Sequence, residues 1–314
     1  MNKMIKTFSE INKTSVAEAG GKGASLGEMT RSRLPVPPGF VILAAAFDRF
    51  LKETGLGAEV ENALKKIKPK NDIHLTDEVS VQIRSMMTDV KMPADLEQAI
   101  KAEFKKLKTK YVAVRSSATA EDSKVASWAG ELETYLNVTD KNLIQSVRKC
   151  WSSLFTPRAI FYRFEKKLHK KPVSVAVVVQ EMVQSEISGI AFTVHPVTKD
   201  RDQMIVEAGF GLGEAIVGGL VTPDSYIVHK TDLAIIDIAV SEQKMMIIRT
   251  PKGNVQKNLK AKNGGKQKLT GKQITEIAKI CRQIEKHYKH PQDIEWAFAK
   301  GKFYITQSRP ITTL

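Results

Sequence analysis

The sequence runs to 314 residues, 42% hydrophobic and 26% charged, and Lys and Arg outnumber Asp and Glu by 49 to 34, for a net charge of +15. That balance is ordinary for a globular chain of two or three packed lobes and excludes one dominated by disorder. The two cysteines, Cys150 and Cys281, lie far apart and outside any Cys-x-x-Cys pair, which excludes a disulfide framework or a cysteine zinc site and fits a reducing, cytoplasmic setting; no run approaches about 18 uninterrupted apolar residues, so no membrane span is expected.

In chain order, residues 20–31, GGKGASLGEMTR, predict a glycine-rich loop running into a helix, and 36–43, VPPGFVIL, a proline-marked entry to a short buried strand. Apolar residues at three and four spacing predict helices through 44–109, punctuated by Gly55 and Pro93. YVAVRSS at 111–117 reads as a buried strand that stops in a small polar loop, with TYLNV at 134–138 as the next strand, and helices fit 140–155 and 157–169. VSVAVVVQEMV at 173–183, GIAFTV at 189–194 and QMIVEA at 203–208 are strand-like, and a glycine-rich run at 209–219 interrupts them. Strands follow at 225–229, 233–239 and 244–249, then a Lys, Gly and Asn-rich loop at 251–268, a helix at 272–288 and a closing hairpin. Helices and strands mix without regular alternation, which points to an α+β fold with mostly antiparallel sheets more than to a barrel or a Rossmann domain.

The positive charge permits a nucleotide, nucleic acid or an acidic partner. Its clusters, KKLKTK at 105–110, KKLHKK at 166–171 and the lysines of 252–268, carry few aromatics and no nucleic-acid signature, so solvated helix ends and loops are expected and nucleic acid is not.

Four segments carry chemistry. GGKGASLG can bring backbone N–H groups and the Lys22 charge to a phosphate at a helix start, yet it matches neither GxxxxGK[ST] nor GxGxxG in its usual setting, and a flexible capping loop explains it equally well. In RSSATAEDSKVASWAGELET, 115–134, Arg115 leaves an apolar strand and is followed by Ser116, Ser117 and Thr119; such loops make anion-binding nests, and they also make ordinary capped turns. In EAGFGLGEAIVGG, 207–219, glycines flanked by Glu207 and Glu214 precede a helix, where close packing competes with ligand binding.

The fourth segment, DIEWAFAKGKFYITQSRP at 293–310, is a hairpin with Glu295, Gln307 and Arg309 where an ordinary hairpin would carry apolar residues. A two-residue turn at Lys300 and Gly301 with regular pairing sets 299 against 302 and sends Glu295 and Gln307 to opposite sides. One more residue, in the turn or in a bulge, sets 299 against 303 and 295 against 307. Asp293, Glu295, Gln307 and Arg309 then share one face, and Ile294, Trp296, Phe298, Tyr304 and Thr306 the other. The second register separates polar from apolar and is the expected one. Two oxygen ligands facing each other suit Mg²⁺ bridging nucleotide phosphates, with Arg309 stabilising charge on a transferred group.

With these motifs in place, the chain resembles the amino-terminal ATP-binding domain of the phosphoenolpyruvate synthase and pyruvate phosphate dikinase family, which includes rifampin phosphotransferase. The resemblance spans nearly the whole chain through GGKGASLGEM, VPPGF, VAVRSSATAEDS, SWAGELETYLNV, VVVQEMV, SGIAFTVHPVT, EAGFGLGEAIVGG, PDSY, and DIEW with QSRPIT, in that order. It implies an ATP-grasp-like fold, two lobes clamping ATP, with an expected division into 1–185 and 186–314. It implies that Lys22 and Arg115 hold phosphates, that Gly130 and Thr134 line the phosphate loop, and that Gln180, Glu181, Met182 and Val183 form the adenine-side strand. Glu295 and Gln307 match the metal-binding pair for Mg²⁺ and Arg309 the catalytic arginine, with Lys22 and Arg115 as further catalytic groups; Arg163 matches a phosphate-contacting arginine less closely. His195 stands where many relatives have an acidic residue and is expected to be structural. None of the six histidines sits in a Gly-Gly-x-x-Ser/Thr-His setting, so the phosphocarrier histidine and the acceptor domain are expected elsewhere, in a longer chain or a separate subunit. The activity implied is transfer of the terminal diphosphate of Mg-ATP to that histidine, most directly for phosphoenolpyruvate synthesis from pyruvate. A rifamycin hydroxyl or a phenol as final acceptor, or a nucleotide-binding regulatory module without turnover, stay open.

Overall fold

The computed structural model describes residues 3–67, 73–119, 132–166, 173–250 and 253–312. The chain divides into two compact units, one of Met1–Arg31 with Pro38–Met182 and one of Ser32–Pro37 with Val183–Leu314.

The first unit runs β1 (Ile5–Thr7), α1 (Val16–Arg31), β2 (Gly39–Ile42), α2 (Ala44–Glu53), α3 (Leu56–Lys65), α4 (Ile73–Asp89), α5 (Ala94–Lys106), β3 (Val112–Ala118), β4 (Thr134–Val138), α6 (Leu143–Ser152), α7 (Pro157–Glu165) and β5 (Val175–Glu181). Its sheet has the order β1-β2-β5-β3-β4, every pair antiparallel. The central strand β5 is apolar without alternation, because Val175, Ala176, Val177, Val178 and Val179 are all buried and both faces of the sheet are covered. One face, with Val112, Val114, Val177 and Val179, joins the helices in a single core centred on Trp151, whose ring lies 5.0 Å from Phe50 and 5.9 Å from Phe47. The other face meets α1, where Gly23 sits against Val41 and Gly27 against Ile11. The lysines of KKLKTK include the last turn of α5, as the helix dipole favours.

The second unit runs β6 (Ile187–Phe192), β7 (Gln203–Phe210), α8 (Glu214–Val217), β8 (Asp224–His229), β9 (Ile235–Ala239), β10 (Met245–Thr250), β11 (Gly253–Asn258), α9 (Ala261–Gly264), α10 (Gly271–Tyr288), β12 (Gln292–Ala299) and β13 (Lys302–Pro310). Six strands form an antiparallel sheet of order β13-β12-β6-β7-β8-β9. A capping box starts α10, the Thr270 hydroxyl accepting from the Gln273 amide and the Gln273 side chain accepting from the Thr270 amide, and the helix buries Ile274, Ile277, Ala278, Cys281 and Ile284.

The mixed, antiparallel architecture is the α+β class expected. The stretch 251–268 is not a plain loop. It contains β11, which pairs with β10 from Met245↔Asn258 to Thr250↔Gly253, and the short α9. The strand is polar and mostly exposed in a two-stranded ribbon, so it has no buried face to impose an apolar alternation.

Candidate functional site

In the first unit the expected phosphate residues gather on the sheet face that α1 covers. Arg115 pairs with Thr134 on one side and with Val178 on the other, and Val178 pairs with Val41, so these four share one face. Ala113, Gln180 and Gly39 make the next row of that face, two residues along. Arg115 and Gln180 are buried, while Thr134, at the sheet edge, is exposed. Gly130 lies outside the described residues.

Lys22 stands just past a break in α1. The helix is two helices merged across Gly20, whose φ of +70° and ψ of 173° are non-helical, so Lys22 occupies the first turn of the second. A glycine is required there, both because φ is positive and because a Cβ would lie 2.2 Å from the Ser117 hydroxyl. The sequence reading of a loop entering a helix thus captures the second helix and misses the turn before Gly20.

The hydroxyls expected to line an anion nest are spent inside the protein. Ser116 donates to the carbonyls of Glu133 and Cys150 at 3.0 Å and shares a 2.9 Å bond with the Ser153 hydroxyl. Ser117 bonds Ala19 and Gly23, and Thr119 donates to the Ser174 carbonyl at 3.0 Å. They tie β3 to its neighbours.

On the strand expected beside adenine, the Glu181 amide donates to the Pro38 carbonyl at 2.8 Å and the Met182 amide to the Tyr111 carbonyl at 3.0 Å. These two amides are engaged inside the unit, and Val183 begins the second one. Arg163 is not brought to this face. It is buried on α7, where burial lowers its pKa, and it lines a cavity of about 890 Å³ with Phe47, Val60, Ile160 and Val173, against the helical core.

In the second unit the closing hairpin has the pairing that places Glu295 opposite Gln307. The extra residue is a bulge at Thr306, between the Trp296↔Ile305 and Glu295↔Gln307 pairs, and the turn keeps two residues, with Ala299 opposite Lys302. The expectation of 299 against 303 is therefore corrected. So is Tyr304, which pairs with Ala297 on the Glu295 side of the ribbon, while Phe303 and Ile305 take the apolar face with Trp296 and Phe298. Thr306 belongs to neither face as a pair member, and its hydroxyl donates to the Glu295 carbonyl at 3.2 Å.

The polar face continues across the sheet. Gln307 pairs with Glu295, Glu295 with Ile190, and Ile190 with Glu207, while Arg309 pairs with Asp293 in the adjacent row. The Arg309 guanidinium grips Asp293 through Nε at 2.9 Å and a terminal nitrogen at 2.8 Å. Burial, with the Asp293 carboxylate adding to it, pushes the Glu207 carboxyl above its ordinary value. Glu207 was visible in sequence only as a flank of the glycine run; its membership of this face comes from strand order, which no local pattern encodes. Gly189, in the next row on the opposite face with Trp296 and Ala208, must lack a side chain, since a Cβ would lie 1.8 Å from the Glu207 carbonyl and 2.3 Å from the Trp296 ring.

A raised carboxyl pKa means that the folded state holds the proton more tightly than the unfolded one, so the fold loses stability as pH rises from the ordinary glutamate range through the raised value. Glu207→Gln is expected to raise the melting temperature at neutral pH by a few degrees and to change it little near pH 4. Thermal melts at both values check this, and an equal change at both would count against it.

The donor set suits a hard divalent cation. Glu295 and Gln307 lie opposite each other, and the carboxylates of Asp293 and Glu207 belong to the same face. No group of three or more His, Cys, Asp or Glu able to hold a metal by itself occurs among the described residues. The site thus fits Mg²⁺ with a shell completed by phosphate and water.

Elsewhere the glycines of EAGFGLGE serve packing. Gly211, with φ of +90°, lies against the Ile247 carbonyl, Leu212 donates to that carbonyl at 2.9 Å, and the Gly211 carbonyl accepts from Ser185 and Ser188. The His195 Nδ1 accepts from the amides of Val197 and Thr198 at 3.3 and 3.2 Å. No described helix is long and apolar enough to cross a membrane.

Residues 16–314 match the family model described as pyruvate phosphate dikinase, AMP/ATP-binding domain. Among curated proteins, a probable phosphoenolpyruvate synthase of Methanocaldococcus jannaschii is 45% identical over 321 residues, covering 99% of this chain and 27% of that one. The phosphoenolpyruvate synthase of Pyrococcus furiosus is 40% identical over 359 residues, covering 99% of this chain and 44% of its own. A rifampicin phosphotransferase of Bacillus cereus is 40% identical over 318 residues, covering 100% and 36%. The chain spans less than half the length of these relatives. A match over residues 16–314, with a Glu–Gln pair and an arginine set in one strand register at its end, makes this chain a member of the pyruvate phosphate dikinase AMP/ATP-binding domain family.

Proposed function

We propose that the chain binds Mg-ATP in an ATP-grasp-like manner and transfers the β,γ-diphosphate to a histidine of a phosphocarrier domain. The observation that carries this reading is the bulged register setting Glu295 against Gln307 with Arg309 two residues on. In the step proposed, the bond between the β-phosphorus and the bridging oxygen to the α-phosphate breaks and AMP keeps that oxygen. A P–N bond forms on the imidazole, which releases its N–H proton. Arg115 and Lys22 hold the phosphates, with Gly130 and Thr134 as further phosphate contacts, and Gln180 to Val183 serve the base side. Glu295 and Gln307 hold Mg²⁺, which supplies charge neutralisation on the phosphates when bound. Arg309 donates to the oxygens on which charge grows.

Naming of the archaeal relatives as phosphoenolpyruvate synthases supports pyruvate as the final acceptor. The name of the Bacillus cereus relative supports a second reading, with the same half-reaction serving a rifamycin. In either case the acceptor and carrier belong to other domains or subunits, and the setting is the cytoplasm.

The test mixes the purified chain with Mg²⁺, ATP labelled at the β-phosphate and a candidate carrier domain. Label on a carrier histidine with AMP release is the expected result. Tight ATP binding without AMP release would replace this reading with a regulatory module.

A further inference from the structure

The buried hydroxyl of Ser117 is used twice. It donates to the Ala19 carbonyl at 2.9 Å and accepts from the Gly23 amide at 3.2 Å, partners on either side of the break at Gly20. One oxygen thus takes a carbonyl from the end of the first helical segment and an amide from the start of the second, the two kinds of group that helix ends leave unsatisfied. The side chain is fully buried, and the fit is close enough that a Cβ on Gly20 would lie 2.2 Å from Ser117 Oγ and 2.3 Å from its carbonyl oxygen.

The contact joins two elements that matter. Ser117 sits on β3 two residues after Arg115, on the same sheet face, and β3 is held by β5 along its whole length. Lys22 lies between Gly20 and Gly23, so the amide that Ser117 accepts from is in the turn that carries the lysine. With one hydrogen bond on each side of a φ-positive hinge, the orientation of the second helical segment is fixed to the strand that carries Arg115.

We infer that Ser117 is a positioning residue for the phosphate-binding lysine, holding the turn that bears Lys22 in register with Arg115. The inference rests on the nucleotide-binding reading above. Ser117 itself stays out of contact with the nucleotide, since both of its bonds point into the protein and the residue is buried.

A double-mutant cycle on ATP affinity tests it, read by calorimetry on the purified chain with Mg²⁺ present. Ser117→Ala is expected to weaken ATP binding by about 5- to 10-fold, the size of a lost helix cap expressed as affinity. In a Lys22→Ala background the same change is expected to cost nothing further, because there is no lysine left to position. Equal losses in both backgrounds would overturn the inference while leaving Lys22 as a ligand. Unchanged affinity in Lys22→Ala alone would overturn the reading of Lys22 and this inference with it. If Ser117→Ala folds poorly, Ser117→Cys, which fills the volume but bonds weakly, takes its place in the cycle. Hydrogen exchange at the Gly23 amide supplies a readout independent of ATP. It is expected to speed up in the alanine or cysteine variant and to remain slow in Ser117→Thr, and an unchanged rate in the former would refute the link.

Discussion

Arg309→Ala is expected to slow diphosphate transfer to the carrier histidine by about 10²-fold or more while ATP affinity stays within a few-fold of the parent chain. Arg309 holds Asp293 through two nitrogens, but its side chain is 36% exposed, so the pair adds little to stability and serves to aim the guanidinium. An aimed, partly solvated guanidinium can turn its donors to a phosphate when charge builds there, and the effect appears in the transition state more than in the bound ground state. Arg309→Lys keeps the charge but loses the planar fork, and is expected to recover only part of the rate. The measurement is single-turnover release of AMP at saturating ATP in the presence of a carrier domain. A variant that loses binding yet turns over normally at saturation would remove Arg309 from the transferring role.

The second large effect is on folding. Lys268 and Asp224 form an ion pair with both side chains fully buried, 2.8 Å apart. Asp224 also accepts from the Tyr226 hydroxyl and from the amides of Ser241 and Lys268, and the Lys268 ammonium also bonds the carbonyls of Ser241 and Gly264 and lies 5.4 Å from the centre of the Phe210 ring. Every charge in this knot is answered, which is the condition under which a buried pair persists. Removing one partner strands the other, so Lys268→Met or Asp224→Ala is expected to destabilise the chain by about 3–5 kcal/mol. Urea unfolding checks this through the shift in midpoint. Removing both charges together, as Asp224→Leu with Lys268→Met, is expected to cost less than the sum of the two, because the stranded charge is gone. Additive costs would show that the two residues act separately.

How much of this was legible in the sequence depended on whether the deciding interaction was local. Apolar periodicity marked α10 and the helices between 44 and 109, since one buried stripe repeats along each helix. The strand β5 announced itself as an unbroken apolar run because both its faces are covered. The polar β11 gave no such signal. In the hairpin, the demand that polar and apolar residues separate pointed to Glu295 opposite Gln307, yet arithmetic alone left the extra residue free to sit in the turn or further along, and only the paired strands locate it at Thr306. Glu207 and Ser117 act through neighbours far away in sequence, Glu207 through strand order and Ser117 through a residue 98 positions earlier. Spacing rules do not reach that distance.

The bulge at Thr306 does more than set one pair. Between the turn and Trp296 the ribbon keeps an unbroken two-residue beat that serves Phe298, Phe303 and Ile305; beyond it, the same strand runs one step out of phase, and that half carries Gln307 and Arg309. The two halves therefore answer to separate constraints. Shortening or lengthening both strands together near Lys300 and Gly301 changes the loop and the aromatic packing without altering which residue Glu295 faces, because equal changes on the two strands preserve the pairs beyond them and leave the bulge in place. The hairpin is in this sense a two-part instrument with a single tuning point, and its chemistry can be held constant while its outer end drifts.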